Sequence, residues 1–241
     1  MWDAINLNKN DELIIVEMIF IDEKGNLMHG TIRRNQVQRF KYKLIEGSLF
    51  TIKNFKVVEA IGRYKPVENS LALIFITSTV ISNLSEDIVH TPINGFHFIK
   101  PAMIDSRVNN DEVLSDVIGC LYGIGGMENP RSTSAKAKTT LWQKLGEKFA
   151  LYLDNKDAGP YIVIVTSTTV KNFRGEVIFF TTYASKIYVN LDIDHLRSLV
   201  QKFTAMSIEV QVLESSNVNS IPIEEELLLN QMDIKELFES M

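Results

Sequence analysis

At 241 residues, 45% apolar and 23% charged, the chain is sized for one or two globular domains; its longest apolar stretches, such as 71–76 and 161–165, fall far short of the roughly 20 residues that span a bilayer. The formal net charge of −5 belongs to the C-terminal end, since residues 1–200 hold 23 Lys and Arg against 22 Asp and Glu while residues 201–241 hold 2 against 8. One cysteine, Cys120, and four scattered histidines, His29, His90, His97 and His195, exclude an intramolecular disulfide and show no metal-ligand spacing, so no metal or other cofactor is expected.

Residues 1–9 carry no basic region followed by an apolar run, so no signal peptide is expected. Residues 13–22 form a mostly apolar strand candidate, 23–26 a turn with Gly25 available for positive φ, and 27–32 the returning strand. Apolar Val37, Phe40, Leu44 and Ile45 then predict a short amphipathic helix over 35–45, ended by Gly47. Two further strands follow over 49–58 and 71–81, joined across the turn 62–66. Strand, strand, helix, strand, strand is the order of an oligonucleotide-binding (OB) barrel without its first strand. The segment 24–65 holds ten basic residues against Glu46 and Glu59. Local field matters more than total charge for a polyanionic ligand, although a solvated basic face has the same composition.

Residues 83–115 read as a connector broken by Pro92, Pro101 and Asn109-Asn110-Asp111. A second unit opens with a strand over 117–122. Trp142 to Phe149 spans the same seven residues as Arg33 to Phe40, and Gly159-Pro160 before 161–165 echoes Gly47-Ser48 before 49–52. Strands over 177–182 and 187–189 close the unit, a helix is predicted over 196–203, and residues 207–241 form an acidic tail, solvated or docking a partner. A period repeated once signals tandem domains and not a solenoid.

Arg33, Tyr64, Trp142 and Phe173 are the candidate flat side chains. Phe173 sits in a hydrophilic turn between Asn172 and Arg174-Gly175, and Tyr64 lies between Arg63 and Lys65, places where a buried ring is less natural. A guanidinium such as that of Arg33 also stacks on a base while pairing with phosphate. Gly123-Ile124-Gly125-Gly126 does not read as a phosphate loop, because Asn129-Pro130 follows where a helix with Lys and Ser or Thr is required. Cys120 lies in an apolar strand and is expected to be buried and inert. No catalytic constellation is visible, so the chain is not expected to be an enzyme.

The stretches Val-Glu-Met-Ile-Phe-Ile-Asp-Glu-Lys-Gly (16–25), Gly-Thr-Ile-Arg (30–33) and Glu-Gly-Ser-Leu-Phe-Thr-Ile-Lys-Asn-Phe (46–55) resemble the first DNA-binding domain of the replication protein A large subunit, most strongly its plant-type paralogues. Leu141-Trp142 through Lys148-Phe149, 170–175 and Val-Asn-Leu-Asp-Ile (189–193) resemble the second. The resemblance covers roughly 10–205. It implies an all-β chain with short helices: two tandem five-stranded Greek-key OB barrels and an acidic C-terminal tail. The expected domains are 1–105, 106–206 and the tail 207–241. The first barrel is expected to lack its N-terminal strand and the second to be shortened between 126 and 139.

The function implied is sequence-nonspecific binding of single-stranded DNA in replication, recombination and repair, in the nucleus. Other replication protein A subunits or repair proteins are the implied partners. Arg33, Tyr64, Trp142 and Phe173 would stack bases, and Arg34, Arg63, Lys65, Lys171 and Arg174 would contact phosphates. The rival reading is an OB-fold protein-interaction scaffold with little DNA affinity, its acidic tail competing for the basic 24–65 surface or docking a basic partner.

Overall fold

The computed structural model describes residues 1–6, 12–85, 90–121, 123–125, 138–141, 144–154, 161–173, 175–193, 196–197, 201 and 211–213. Strand β1, Trp2–Asn6, pairs antiparallel with β2, Glu12–Ile21, and β2 pairs antiparallel with β3, Leu27–Arg33. The period of two puts Val16, Met18 and Ile32 in the core, while Ile15, Glu17, Thr31 and Arg33 lie on the outer face. Gly25, at φ +79°, closes the β2–β3 turn, and Asp22 Oδ1 accepts the Lys24 and Asn26 backbone N–H groups at 3.0 and 2.8 Å.

The helix expected over 35–45 is shorter and tighter. A 3₁₀ turn at Arg34–Gln36 leads into α1, Val37–Phe40, and another at Lys41–Lys43 leads out. One turn suffices to drop Val37 and Phe40 into the core, where the Phe40 and Phe75 rings meet at 5.2 Å. The two long strands expected next are each interrupted. The first is β4, Phe50–Lys53, and β5, Lys56–Glu59, parted at Asn54 with φ +58°. The second is β6, Leu71–Ile74, and β7, Val80–Asn83. Buried Thr79 holds the break together, its Oγ1 accepting the Ile76 N–H at 2.9 Å and donating to the Asn54 carbonyl at 2.8 Å.

Sheet order in this half is β1-β2-β3-β6-β5, with β3 and β6 parallel and the other pairs antiparallel, and β4 pairs with β7. The expectation of a missing N-terminal strand is therefore corrected, because Trp2–Asn6 is extended and hydrogen-bonded to β2 over a one-residue irregularity at Ala4/Ile5. Among the described residues no pairing links β1 to β4 or β5, so the first barrel stays open along that seam.

The connector contains a 3₁₀ turn at Pro101–Met103 and α2, Ile104–Arg107. The second half follows as β8, Ser115–Cys120; β9, Gly123–Gly125; β10, Lys138–Thr140; α3, Lys144–Asp154; β11, Ile162–Phe173; β12, Glu176–Phe180; and β13, Ile187–Val189. Strand β11 is the spine: it pairs antiparallel with β8 and β13 through its first half and with β12 through its second, and β12 runs parallel to β10. It serves both because it carries a bulge, where the register with β8 shifts between Val165 and Thr168 and Ser167 sits at φ +53°. The Asp116 carboxylate accepts the Ser167 N–H at 2.9 Å, and the Thr182 and Ser185 hydroxyls donate to the Ser167 carbonyl.

Ile162, Ile164 and Leu196 form the second core, with Phe96 and Phe98 of the connector packed against it. Cys120 is half-buried in β8, and burial pushes its thiol pKa up, as an unreactive thiol requires. Strand β14, Gln211–Leu213, runs parallel to β9 within a separate, smaller compact unit. Residues 126–137, most of the helix expected over 196–203, and the acidic tail apart from β14 lie outside the described residues. No helix among the described residues is long and apolar enough to cross a membrane.

Candidate nucleic-acid interface

OB folds take oligonucleotides on the outer face of their second and third strands and on the loops between strands 1–2 and 4–5. The shared parallel pair fixes the equivalence of the two halves. Thr31 faces Ile74 across β3 and β6, and Thr140 faces Phe180 across β10 and β12. Ile32 thus corresponds to Leu141, and Arg33 to the next residue, Trp142. Trp142 and Arg174 lie outside the described residues.

Arg33 and Arg34 are exposed at the end of β3, where Arg33 lies across from Ile15. Both arginines line an open groove with Leu13, Ile14 and Ile15. Further along the same outer face is a cluster that sequence reasoning missed. The Trp2 and His29 rings lie 6° from parallel with centroids 6.1 Å apart, and Trp2 Nε1 donates to Glu17 Oε2 at 3.0 Å. His29 Nε2 stands 3.2 Å from Glu17 Oε1. This stretch of the first barrel's strand face is covered by the chain's own aromatic groups, whereas its Arg33 end is exposed.

The 4–5 loop of the first barrel is the long turn 60–70, and that of the second is the tight turn after Phe173, with Gly175 at φ +85°. Phe173 is 55% exposed and Tyr64 is 50% exposed. Tyr64 adopts φ +62°, a left-handed conformation that costs a side-chain-bearing residue, and its ring lies 5.5 Å from the Arg63 guanidinium. Counting from Ile74 and Phe180, the position matching Phe173 is Ala60, so the longer loop carries Tyr64 four residues beyond it.

Asp111 brings the first of these loops and strand β11 together. Its side chain is only 3% exposed and is surrounded by candidate residues from both barrels. Lys171 Nζ donates to both oxygens at 2.6 and 2.8 Å, Arg63 Nη2 donates at 2.6 Å, and the Tyr64 hydroxyl comes within 3.5 Å. The Lys171 hydrogen bond, followed by the charges of Lys171 and Arg63, holds the Asp111 carboxyl below its ordinary pKa against the opposing effect of burial. The backbone repeats the junction. Tyr64 N–H donates to the Asp111 carbonyl at 2.6 Å, Lys65 N–H to Glu112 at 2.9 Å, and Asn109 N–H to Val170 at 2.8 Å. Lys65 itself is half-buried and bridges to Val113. A sequence signal for Asp111 existed only as Asn109-Asn110-Asp111, which reads as a turn.

Among the described residues no three His, Cys, Asp or Glu side chains gather as a metal site. Residues 2–100 match the family model described as domain of unknown function DUF223. Replication factor A protein 1 of Schizosaccharomyces pombe is 26% identical over 203 residues, which cover 77% of this chain and 32% of the yeast protein. A chain from a replication protein A heterotrimer solved bound to single-stranded DNA superposes with a TM-score of 0.50 at 20% identity, covering 86% of this chain and 50% of its own length. The chain therefore spans about a third of the length of the curated relative it matches. In the order of its motifs and in its paired OB folds, this chain is a protein similar to the large subunit of replication protein A.

Proposed function

We propose that the chain binds single-stranded DNA without strong sequence preference, as a non-enzymatic OB-fold protein acting in the nucleus in replication, recombination and repair. The observation that carries this reading is the meeting of the first barrel's 4–5 loop with the end of β11 at Asp111. Each presents a half-exposed ring, Tyr64 and Phe173, beside a cation, Arg63 and Lys171, and both cations meet at Asp111. Exposed rings for bases next to cations for phosphates are the requirements for holding a flexible polyanion, and each stacked base contributes roughly 1–3 kcal/mol. On this reading Arg33 and Trp142 would stack further bases, and Arg34, Lys65 and Arg174 would contact phosphates. The likeness to a heterotrimer subunit makes other replication protein A subunits and repair proteins candidate partners.

Fluorescence anisotropy with a labelled oligothymidine of about 30 nucleotides, long enough for two OB folds, tests the reading. Micromolar or tighter binding is expected, weakening with a slope of about −0.7 in log K per log salt for each phosphate neutralised. Absence of binding by folded protein at low salt would overturn it. A second reading has its own support: Arg63 and Lys171 already spend hydrogen bonds on Asp111, as they would in a protein-interaction scaffold with little DNA affinity. Absence of DNA binding together with capture of a replication protein A subunit would favour that scaffold.

A further inference from the structure

Arg63 and Lys171 come from different barrels, yet they share one carboxylate that belongs to neither loop. The junction has further links on both sides of Asp111. Arg107 of α2 pairs with Glu68 in the first barrel's 4–5 loop, and Val108 bridges in parallel to Val170 of β11. A second cross-barrel ion pair joins Glu46 to Lys186. The connector is thus bonded to the 4–5 loop on one side and to the strand that ends in Phe173 on the other.

We propose that Asp111 is a positioning residue that fixes the two barrels in one relative orientation before any ligand arrives, so that both 4–5 loops form a single platform. As it concerns DNA, the inference rests on the function proposed above. The buried Asp111 carboxylate would be left without partners in any orientation that carried Arg63 and Lys171 away, so the pairs select one arrangement against others. Asp111 does not exhaust the cations it holds. A guanidinium has five donors and an ammonium three, and the Arg63 side chain is 66% exposed, so donors remain for a phosphate. Two binding modules held in register meet a long strand as one site, whereas freely jointed modules lose part of the gain from linkage.

Simple electrostatics predicts the opposite. Removing Asp111 would release two cations, and DNA of every length would bind more tightly. Asp111→Asn keeps the volume and decides between the two. Binding is compared for oligothymidines of about 6 nucleotides, within one OB fold, and about 30, across both. The expected result is a loss of about tenfold for the long strand, a fraction of the gain that linking two modules gives, with short-strand affinity unchanged within about twofold. Tighter binding at both lengths, or equal weakening at both, overturns the proposal.

The orientation itself is read without DNA from residual dipolar couplings. One alignment tensor should fit both barrels of the parent, and two should be needed for Asp111→Asn and for Arg63→Gln, whose largely exposed side chain leaves folding intact. Two tensors in the parent, or one in both variants, overturns the proposal whatever the DNA result. One tensor in the parent and two in the variants, with no DNA bound, would sustain the clamp and sink the DNA-binding reading alone.

Discussion

Thr31 and Thr140 hold the same place in the two barrels. Each sits in the parallel pair, and each carbonyl accepts a backbone N–H from the residue just past the facing strand, Phe75 at 3.0 Å and Thr181 at 3.2 Å. The repeat is therefore structural at the level of single hydrogen bonds. It ends at the 4–5 loops, where the eleven-residue stretch 60–70 stands against the short connection between Phe173 and Glu176.

That difference makes the two rings separable by mutation. Phe173→Ala removes a half-exposed ring at a strand end and should leave the fold within about 0.5 kcal/mol, as surface substitutions do. It should weaken single-strand binding by roughly 1–3 kcal/mol, one stacked base. Tyr64→Gly removes a ring and also releases a left-handed residue, so the relief of about 1 kcal/mol should offset glycine's extra unfolded-state entropy. Urea unfolding should then show near-parental stability with weakened binding. Full affinity in the double variant would show that neither ring is a platform.

Thr79 should matter to stability far more than a loop threonine normally does. It is 1% exposed, and its hydroxyl bridges the break between β4 and β5 to that between β6 and β7. Thr79→Val keeps the shape and strands the Ile76 N–H and the Asn54 carbonyl, a cost of about 1–3 kcal/mol for each group left unsatisfied. Thr79→Ser keeps both hydrogen bonds and should lose less. Equal midpoints in urea for the Val variant and the parent would show that water replaces the hydroxyl.

Much of the scaffold is legible in the residues because its signals are local. Alternation gives β2 and β3, Val37 and Phe40 mark the helical turn, and Ile187–Val189 falls where the sequence places it. The breaks inside the two long strands are not legible, because a hydroxyl 25 residues away in the chain makes them tolerable. Strand β1 is obscured because Asp3 and Asn6 look like loop residues until the edge of β2 supplies their partners. Of the site, the exposure of Tyr64 and Phe173 follows from their hydrophilic neighbours, but Asp111 does not. Its partners lie 48 and 60 residues away, and a carboxylate in an Asn-rich turn looks solvated until the fold closes over it.

Gly30 carries a steric prediction. A Cβ placed there would run into the Phe20 ring at Cε2 and stand 3.2 Å from Met18 Cγ, so a methyl group would displace the Phe20 ring. Gly30→Ala should destabilise by about 1–3 kcal/mol, the range for overpacking. Adding Phe20→Leu should recover part of that loss, because it removes the atoms in conflict. If the two substitutions simply add in thermal unfolding, the clash with Phe20 is not the cause.

Acid unfolding should separate Asp111 from the half-buried Asp116, because their surroundings push the two carboxylates in opposite directions. Asp111 lies below the ordinary aspartate value of 3.8 in the folded chain, chiefly through the Lys171 hydrogen bond. The unfolded state then binds the proton more readily, so the Asp111 contribution is complete above 3.8 and is lost as pH falls through the lower folded value. Asp116 is raised above 3.8, since burial outweighs the N–H groups of His97 and Ser167 that it accepts. The folded state holds that proton more tightly, so the Asp116 contribution declines as pH rises from 3.8 through the raised value. In urea titrations over a pH series, Asp111→Asn should be less stable than the parent at neutral pH, and the gap should close below 3.8. Asp116→Asn should instead gain on the parent as pH rises from 3.8 toward neutrality. A gap for Asp111→Asn that stays constant down to strong acid would show that the ion pairs around this carboxylate do not form in solution.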